Sequence, residues 1–149
     1  MRAVCQRVTR ASFRVSGSTV GEVGPGMCVL LGVARGDVDA QAGLLAGKIA
    51  RLRVFGDQEE RVARSLLDTG GAALVVSQFT LLADTSKGNR PSFTDAAAPD
   101  AAELLYERFC DELRALGVPV EQGLFGARME LELVNDGPVT IILDAGAQP

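Results

Sequence analysis

Three side chains able to hydrogen-bond a substrate stand close together at Ser77, Gln78 and Thr80, in the run Leu74-Val75-Val76-Ser77-Gln78-Phe79-Thr80-Leu81. The run opens on apolar β-formers, carries no charge, and reads as one buried strand over Leu74–Leu81. Hydroxyl and amide groups at the end of such a strand need partners, because a buried polar group left without one costs about 1–3 kcal/mol. A substrate is one such partner. Water in a solvated turn is another, and these residues alone do not separate the two.

The rest of the composition narrows the chemistry. The chain has 149 residues, 47% of them hydrophobic, and contains no histidine. No Ser-His-Asp or Cys-His machine can be assembled, and no imidazole can act as a base near neutral pH. Cys5, Cys28 and Cys110 are odd in number, far apart and set in apolar runs. They predict buried thiols in a reducing, cytoplasmic compartment, with no disulfide, metal or cofactor site. The start, Met1-Arg2-Ala3-Val4, predicts a strand rather than a signal peptide, and no apolar run is long enough to predict a membrane helix. Any hydrolysis would have to rest on oriented dipoles, water, or groups that the substrate brings.

Net charge is −4, but it is unevenly spread. Residues 1–93 carry 12 Lys/Arg against 8 Asp/Glu, and residues 94–149 carry 3 against 11. A basic face of this kind can steer a phosphate backbone onto an acidic protein, and it also fits a solvated β-surface.

The elements that must position these groups follow from periodicity. Met1–Val15 predicts one or two strands, Thr19–Val23 another, and Met27–Val33 a central strand buried on both faces. Asp37 and Asp39 read as the N-cap and first-turn acid of a helix whose face is Val38, Ala42, Leu45, Ile49 and Leu52. Gly43 and Gly47 share one side of it, fit for close packing on a sheet. Arg53-Val54-Phe55 predicts a short strand, followed by a polar loop or hairpin from Gly56 to Arg64. A loop after the Ser77 strand holds Lys87-Gly88-Asn89-Arg90-Pro91-Ser92-Phe93, which suits a phosphate or base contact or an exposed loop with an aromatic anchor. A second helix runs from Pro99, with Ala102, Leu105, Phe109, Leu113 and Leu116 inward, to a stop at Gly117 and Pro119. Met129–Leu133 alternates apolar with acidic, Asn135-Asp136-Gly137-Pro138 reads as a turn, and Val139–Leu143 as a closing strand. The expectation is one α+β domain over residues 1–149, with a mixed or antiparallel, barrel-like sheet and two main helices.

Ser77-Gln78-Phe79-Thr80-Leu81 and Asn135-Asp136-Gly137-Pro138-Val139-Thr140 resemble the two signature motifs of the D-aminoacyl-tRNA deacylases. Gln6-Arg7-Val8, the Lys87–Phe93 loop and Gln122-Gly123-Leu124-Phe125-Gly126-Ala127 match as well, so the resemblance spans Met1 to about Leu143. The chain departs where many members read Gly-Lys-Met-Asn and it reads Glu60-Arg61-Val62-Ala63. The resemblance implies a cytoplasmic homodimer without cofactor that hydrolyses the ester joining a D-amino acid, or glycine mischarged on the alanine tRNA, to the tRNA 3′ end. It implies a cis Gly137-Pro138 that enters the partner subunit's pocket. There its carbonyls hold the substrate's α-amino group and exclude an L side chain. It also implies a catalytic segment of Ser77, Gln78, Phe79 and Thr80, with Arg7, Lys87, Arg90, Phe125 and Met129 as supports or tRNA contacts. Thr80 as a nucleophile would need an adjacent base, and the chain has no histidine. The preferred alternative is assistance by the terminal ribose 2′-OH, with Gln78 and the Phe79 and Thr80 region supplying oxyanion donors and Ser77 orienting the strand end. A non-catalytic nucleic-acid-binding module and a small-molecule-binding dimer without turnover are the other readings.

Overall fold

The computed structural model describes residues 1–59 and 61–146. Its middle strand, β3 (Gly26–Gly32), is the apolar run expected to be buried on both faces, and it pairs antiparallel with β1 (Arg2–Val15) and parallel with β6 (Ala72–Ser77). Alternate residues serve two different cores. Met27, Val29 and Leu31, with Ala73 and Val75 of β6, face the helices α1 (Asp39–Arg51) and α3 (Pro99–Ala115). Cys28, with Leu74 and Val76 of β6, faces a smaller cluster on the other side of the sheet.

Strand β1 passes from one core to the other. Ala3 and Cys5 enter the helix-covered core, whereas Val8, Ala11 and Phe13 enter the smaller one. The switch coincides with two register shifts between Gln6 and Arg10 against β8 (Glu130–Asp144). The second half of β1 pairs with β2 (Ser18–Val23), and the sheet curls until Val23, Leu131 and Leu133 close over Phe13. The short strand β7 (Val120–Gln122) lies parallel to β6 at the far edge. The result is the expected α+β domain with a mixed, barrel-like sheet and two main helices. A short third helix, α2 (Leu66–Thr69), was not visible in the periodicity; its capping box is built by Ser65 and Asp68. β4 (Phe55–Gly56) and β5 (Val62–Arg64) form the 56–64 hairpin despite the departure there, of which Glu60 lies outside the described residues.

Four sequence expectations are corrected. The Leu74–Leu81 strand stops at Ser77, and Phe79–Leu82 is a 3-10 turn. Asp37 does not cap α1: its carboxylate accepts from the Ala34 N–H at 2.8 Å and pairs with the buried Met1 ammonium at 2.7 Å, leaving Val38 at the cap. Gly43 and Gly47 do not face the sheet; Gly43 lies toward Glu112 of α3, and Ala42, Leu45, Ala46, Ile49 and Ala50 make the buried face. Asn135–Pro138 is not a hairpin turn, because β8 continues along β1 on both sides of it.

The charge asymmetry also changes meaning in space. Arg2, Arg7, Arg10 and Arg14 of β1 pair with Asp144, Asp136, Glu132 and Glu130 of β8, at 2.7, 3.6, 4.0 and 3.7 Å. The basic strand and the acidic strand are neighbours, so the basic first half does not present a basic face along β1.

Candidate active site

Strands β3, β6 and β7 are mutually parallel, and a cleft of about 570 Å³ opens at their carboxyl ends. Ligand sites in sheets with parallel strands favour this end, where chain direction changes and backbone groups are left unpaired. Val33, Ser77, Gln78 and Phe79 line one side; Phe125, Met129 and Leu131 line the other, and Ala97 and Ala102 come from α3 and its approach. The cleft sits between the two cores, drawing Val76 and Leu131 from one and Val33 and Ala102 from the other.

The 3-10 turn exists because strand β3 makes room for it. A Cβ on Gly32 would lie 2.5 Å from Leu82 Cδ2 and 3.1 Å from the Gln78 carbonyl oxygen. Glycine lets the chain after Ser77 fold down onto β3 without displacing Leu82 or crowding the Gln78 carbonyl. The Gln78 N–H then donates to the Leu31 carbonyl at 2.8 Å, and Arg2 Nη1 donates to the Leu81 carbonyl at 3.3 Å. Phe79 is 55% exposed and meets Phe93 edge-on, with ring centroids 5.0 Å apart. The Phe79 and Thr80 N–H groups open the turn and donate to nothing among the described residues. The Gln78 side-chain amide donates to the Thr80 hydroxyl.

Among the described residues, no titratable side chain lines the cleft. Thr80 has a carboxamide as its neighbour, and a carboxamide is not a base at neutral pH in either orientation. The three thiols are buried elsewhere and burial pushes each up to about 12, so they stay protonated and unreactive. What the site offers is a set of neutral donors beside an apolar cavity.

One contributor escaped the sequence reading. Tyr106 of α3 is fully buried and donates its hydroxyl to the Val75 carbonyl at 2.7 Å, with the Gly123 carbonyl at 3.3 Å. Burial raises its pKa, keeping it a donor. It joins β6 to the segment that carries Phe125, whose ring lies 6.0 Å from its own. Its place among the inward positions of α3 was the available signal, since a buried tyrosine needs a partner for its hydroxyl.

Of the expected site residues, Ser77, Gln78, Phe79, Phe125 and Met129 converge on the cleft, and Thr80 touches it through Gln78. Gly137, Pro138, Arg7, Lys87 and Arg90 do not line it in a single chain. The Gly137-Pro138 bond is cis, and both residues are exposed on the bulge of β8. Asn135 holds the bulge from within, accepting from the Val139 N–H at 2.8 Å and donating to the Val139 carbonyl at 3.2 Å. Arg7 holds it from below through the Asp136 carbonyl at 2.8 Å, and its other end donates to the Val54 carbonyl.

The family described as D-Tyr-tRNA(Tyr) deacylase matches residues 4–144. A protein of Roseiflexus castenholzii named D-aminoacyl-tRNA deacylase is 59% identical over 145 residues, covering 97% of this chain and 92% of that one. A solved structure titled c-Myc DNA Unwinding Element Binding Protein superposes with a TM-score of 0.94 at 42% identity, covering 99% of this chain and all of the other. A second, titled as a probable eukaryotic D-amino acid tRNA deacylase, shares the fold with a TM-score of 0.82 at 21% identity, covering 97% and 98%. With a match along nearly its whole length, the chain belongs to the D-Tyr-tRNA(Tyr) deacylase family.

Proposed function

We propose that this protein hydrolyses the ester of D-aminoacyl-tRNA, releasing the D-amino acid and free tRNA. The observation that carries the reading, beyond family membership, is the make-up of the cleft: apolar walls, free N–H groups at Phe79 and Thr80, the Gln78 amide, and no acid or base. An ester is activated enough to need only oriented donors and water. Donors aimed at the developing oxyanion contribute about 2.7–4 kcal/mol each in comparable sites. Proton transfer falls to the substrate, whose terminal ribose 2′-OH lies next to the scissile carbonyl and orients the attacking water. Thr80 then serves as a partner for Gln78 rather than as a nucleophile.

Handedness is assigned to Gly137-Pro138 of a second copy, because in one chain this bulge is exposed and lies outside the cleft. Main-chain carbonyls accepting from the substrate ammonium make charge-assisted bonds, about 1.5–3 kcal/mol each. Fixing the amino group, Cα and the ester defines where the side chain must go, so a D side chain points to solvent and an L side chain meets backbone. Glycine lacks the discriminating group, and glycyl esters are accepted. The same arrangement makes the homodimer the active form.

Incubation with D-tyrosyl-tRNA and L-tyrosyl-tRNA tests this. Loss of the D ester alone is expected; equal loss of both removes the role given to Gly137-Pro138, and loss of neither removes the enzyme. The second reading, nucleic-acid binding without turnover, draws support from the name of the structural relative at 42% identity. The neutralisation of the β1 arginines by β8 weighs against it, since it leaves that surface without the excess positive charge such binding requires.

A further inference from the structure

The cleft can hold an aminoacyl ester but has no cation with which to hold the polyanion attached to it. A neighbouring loop supplies what is missing. The chain leaves the 3-10 turn at Ala83 and returns to the cleft at Phe93, whose ring packs on Phe79. Between them, Asp84 and Ser92 close the loop by reciprocal backbone bonds of 2.8 and 2.9 Å. Asp84 turns its carboxylate inward onto the Ser86 N–H at 2.9 Å. The Ser86 hydroxyl and N–H hold its pKa low. Gly88, at φ +110, reverses the chain at the tip. Lys87 and Arg90 stand on either side of that reversal, exposed, with no acid within ion-pair distance and no hydrogen bond among the described residues.

Seven other cations are already engaged: the four arginines of β1 with β8, Arg61 with Asp57 and Glu59, and Arg108 and Arg114 with acids on their own helix. Arg35, Lys48, Arg51, Arg53, Arg64 and Arg128 also make no ion pair among the described residues, and of these Arg128 stands between the cleft residues Ala127 and Met129; Lys87 and Arg90 differ in sharing one closed loop that starts and ends at the cleft. Cations without acids, on a closed loop anchored to the wall of the cleft, are placed for an anion that arrives with the substrate. A protein of net charge −4 repels a polyanion at long range, so the local cations must supply the attraction.

We propose that the 84–92 loop is the phosphate-binding arm of the site. Lys87 and Arg90 take the phosphodiesters that precede the terminal nucleoside of the RNA, while the cleft takes the aminoacyl ester. The inference rests on the reading of the protein as an esterase of aminoacyl-tRNA, and its test separates the two. Hydrolysis of D-tyrosyl-tRNA is compared with hydrolysis of the D-tyrosyl ester of adenosine, which has the same reacting atoms and no phosphate. Lys87→Gln, Arg90→Gln and the double variant are assayed beside Lys48→Gln, which removes an exposed cation on α1, far from the loop in sequence.

In the double variant, the ratio of kcat/KM for the tRNA to that for the adenosyl ester should fall at least tenfold, through KM. The slope of log kcat/KM for the tRNA against log salt should become shallower by about 0.7 for each phosphate no longer neutralised, as for single-stranded nucleic acid. Lys48→Gln should leave both the ratio and the slope unchanged. An equal fall on both substrates would make the loop a structural support of the cleft and overturn the proposal, as would an unchanged salt slope. Wild-type protein that cleaves neither ester overturns the esterase reading itself, and the proposal with it.

Discussion

At Ser77 a strand stops and the chain folds down onto its neighbour; at Gly137 a strand bulges outward and resumes its pairing. The first interruption is seated on Gly32 and lines a cleft within one chain. The second is clamped by Asn135 and Arg7, yet it stays exposed and lies outside the cleft. The first gathers hydrogen-bond donors beside an apolar cavity. The second has rigidity without a cavity. In the function proposed above they are two halves of one site, the second supplied by another copy of the chain.

The sharpest way to break this comparison is chemical. D-Tyrosyl-tRNA ending in 2′-deoxyadenosine, esterified at the 3′ position, should not be measurably cleaved, while Thr80→Ala should remain within about tenfold of wild type. The reverse pattern would make Thr80 a nucleophile and the description of the cleft wrong. Gln78→Ala is next in size. Loss of an oxyanion donor costs about 2.7–4 kcal/mol, so single-turnover rates should drop by about a hundredfold or more, with little change in binding.

Two glycines then sharpen the difference between the halves. At Gly32 an added Cβ meets the 3-10 turn, so Gly32→Ala should cost about 1–3 kcal/mol of stability and lower hydrolysis of every accepted ester. At Gly137, φ is +147 and an added Cβ would lie 2.9 Å from the Val139 N atom. Gly137→Ala should reduce the preference for D over L esters about tenfold, with about 1–3 kcal/mol of stability lost to the strained backbone. Paired D and L assays distinguish the two, because Gly32→Ala should lower hydrolysis without changing the D over L preference, and identical profiles would mean that the regions do not divide the work.

The smallest expected effect is none. With no histidine in the chain and no titratable group lining the cleft, kcat should show no protein transition near pH 6.5, and chelators should not slow it. The substrate's own α-amine, ordinarily about 7.7–8.0, is the ionisation expected to register. A transition that survives blocking that amine would reveal a protein group.

Much of this was legible in the sequence where cause and effect are local. Pro99 and Gly117 bound α3 because each acts on its own residue's backbone, and the Met27–Val33 run announces a strand buried on both faces through composition alone. Ser77 and Gln78 stood out because polar groups at the end of such a run need partners, although a solvated turn would have satisfied them equally. The features that stayed hidden depend on residues distant along the chain. The 3-10 turn needs Gly32 of another strand, Asp37 is drawn away from helix capping by the Met1 ammonium, and the basic N-terminal strand is neutralised by acids at the opposite end of the sequence. The bulge at Gly137 read as a turn because turn chemistry is the same whether the chain reverses or resumes.

The role proposed for the bulge has one further consequence, which concerns heredity. A selectivity filter made of main-chain carbonyls has no side chain of its own for mutation to alter. Among its described contacts, drift can reach it through Gly137, Pro138, Asn135 and Arg7, which hold the backbone in place. Substitutions there would tend to wreck the filter rather than retune it. Such a device can be lost, but it cannot easily be coaxed toward the opposite hand, and any broadening of substrate range has to come from the cleft or the loop beside it.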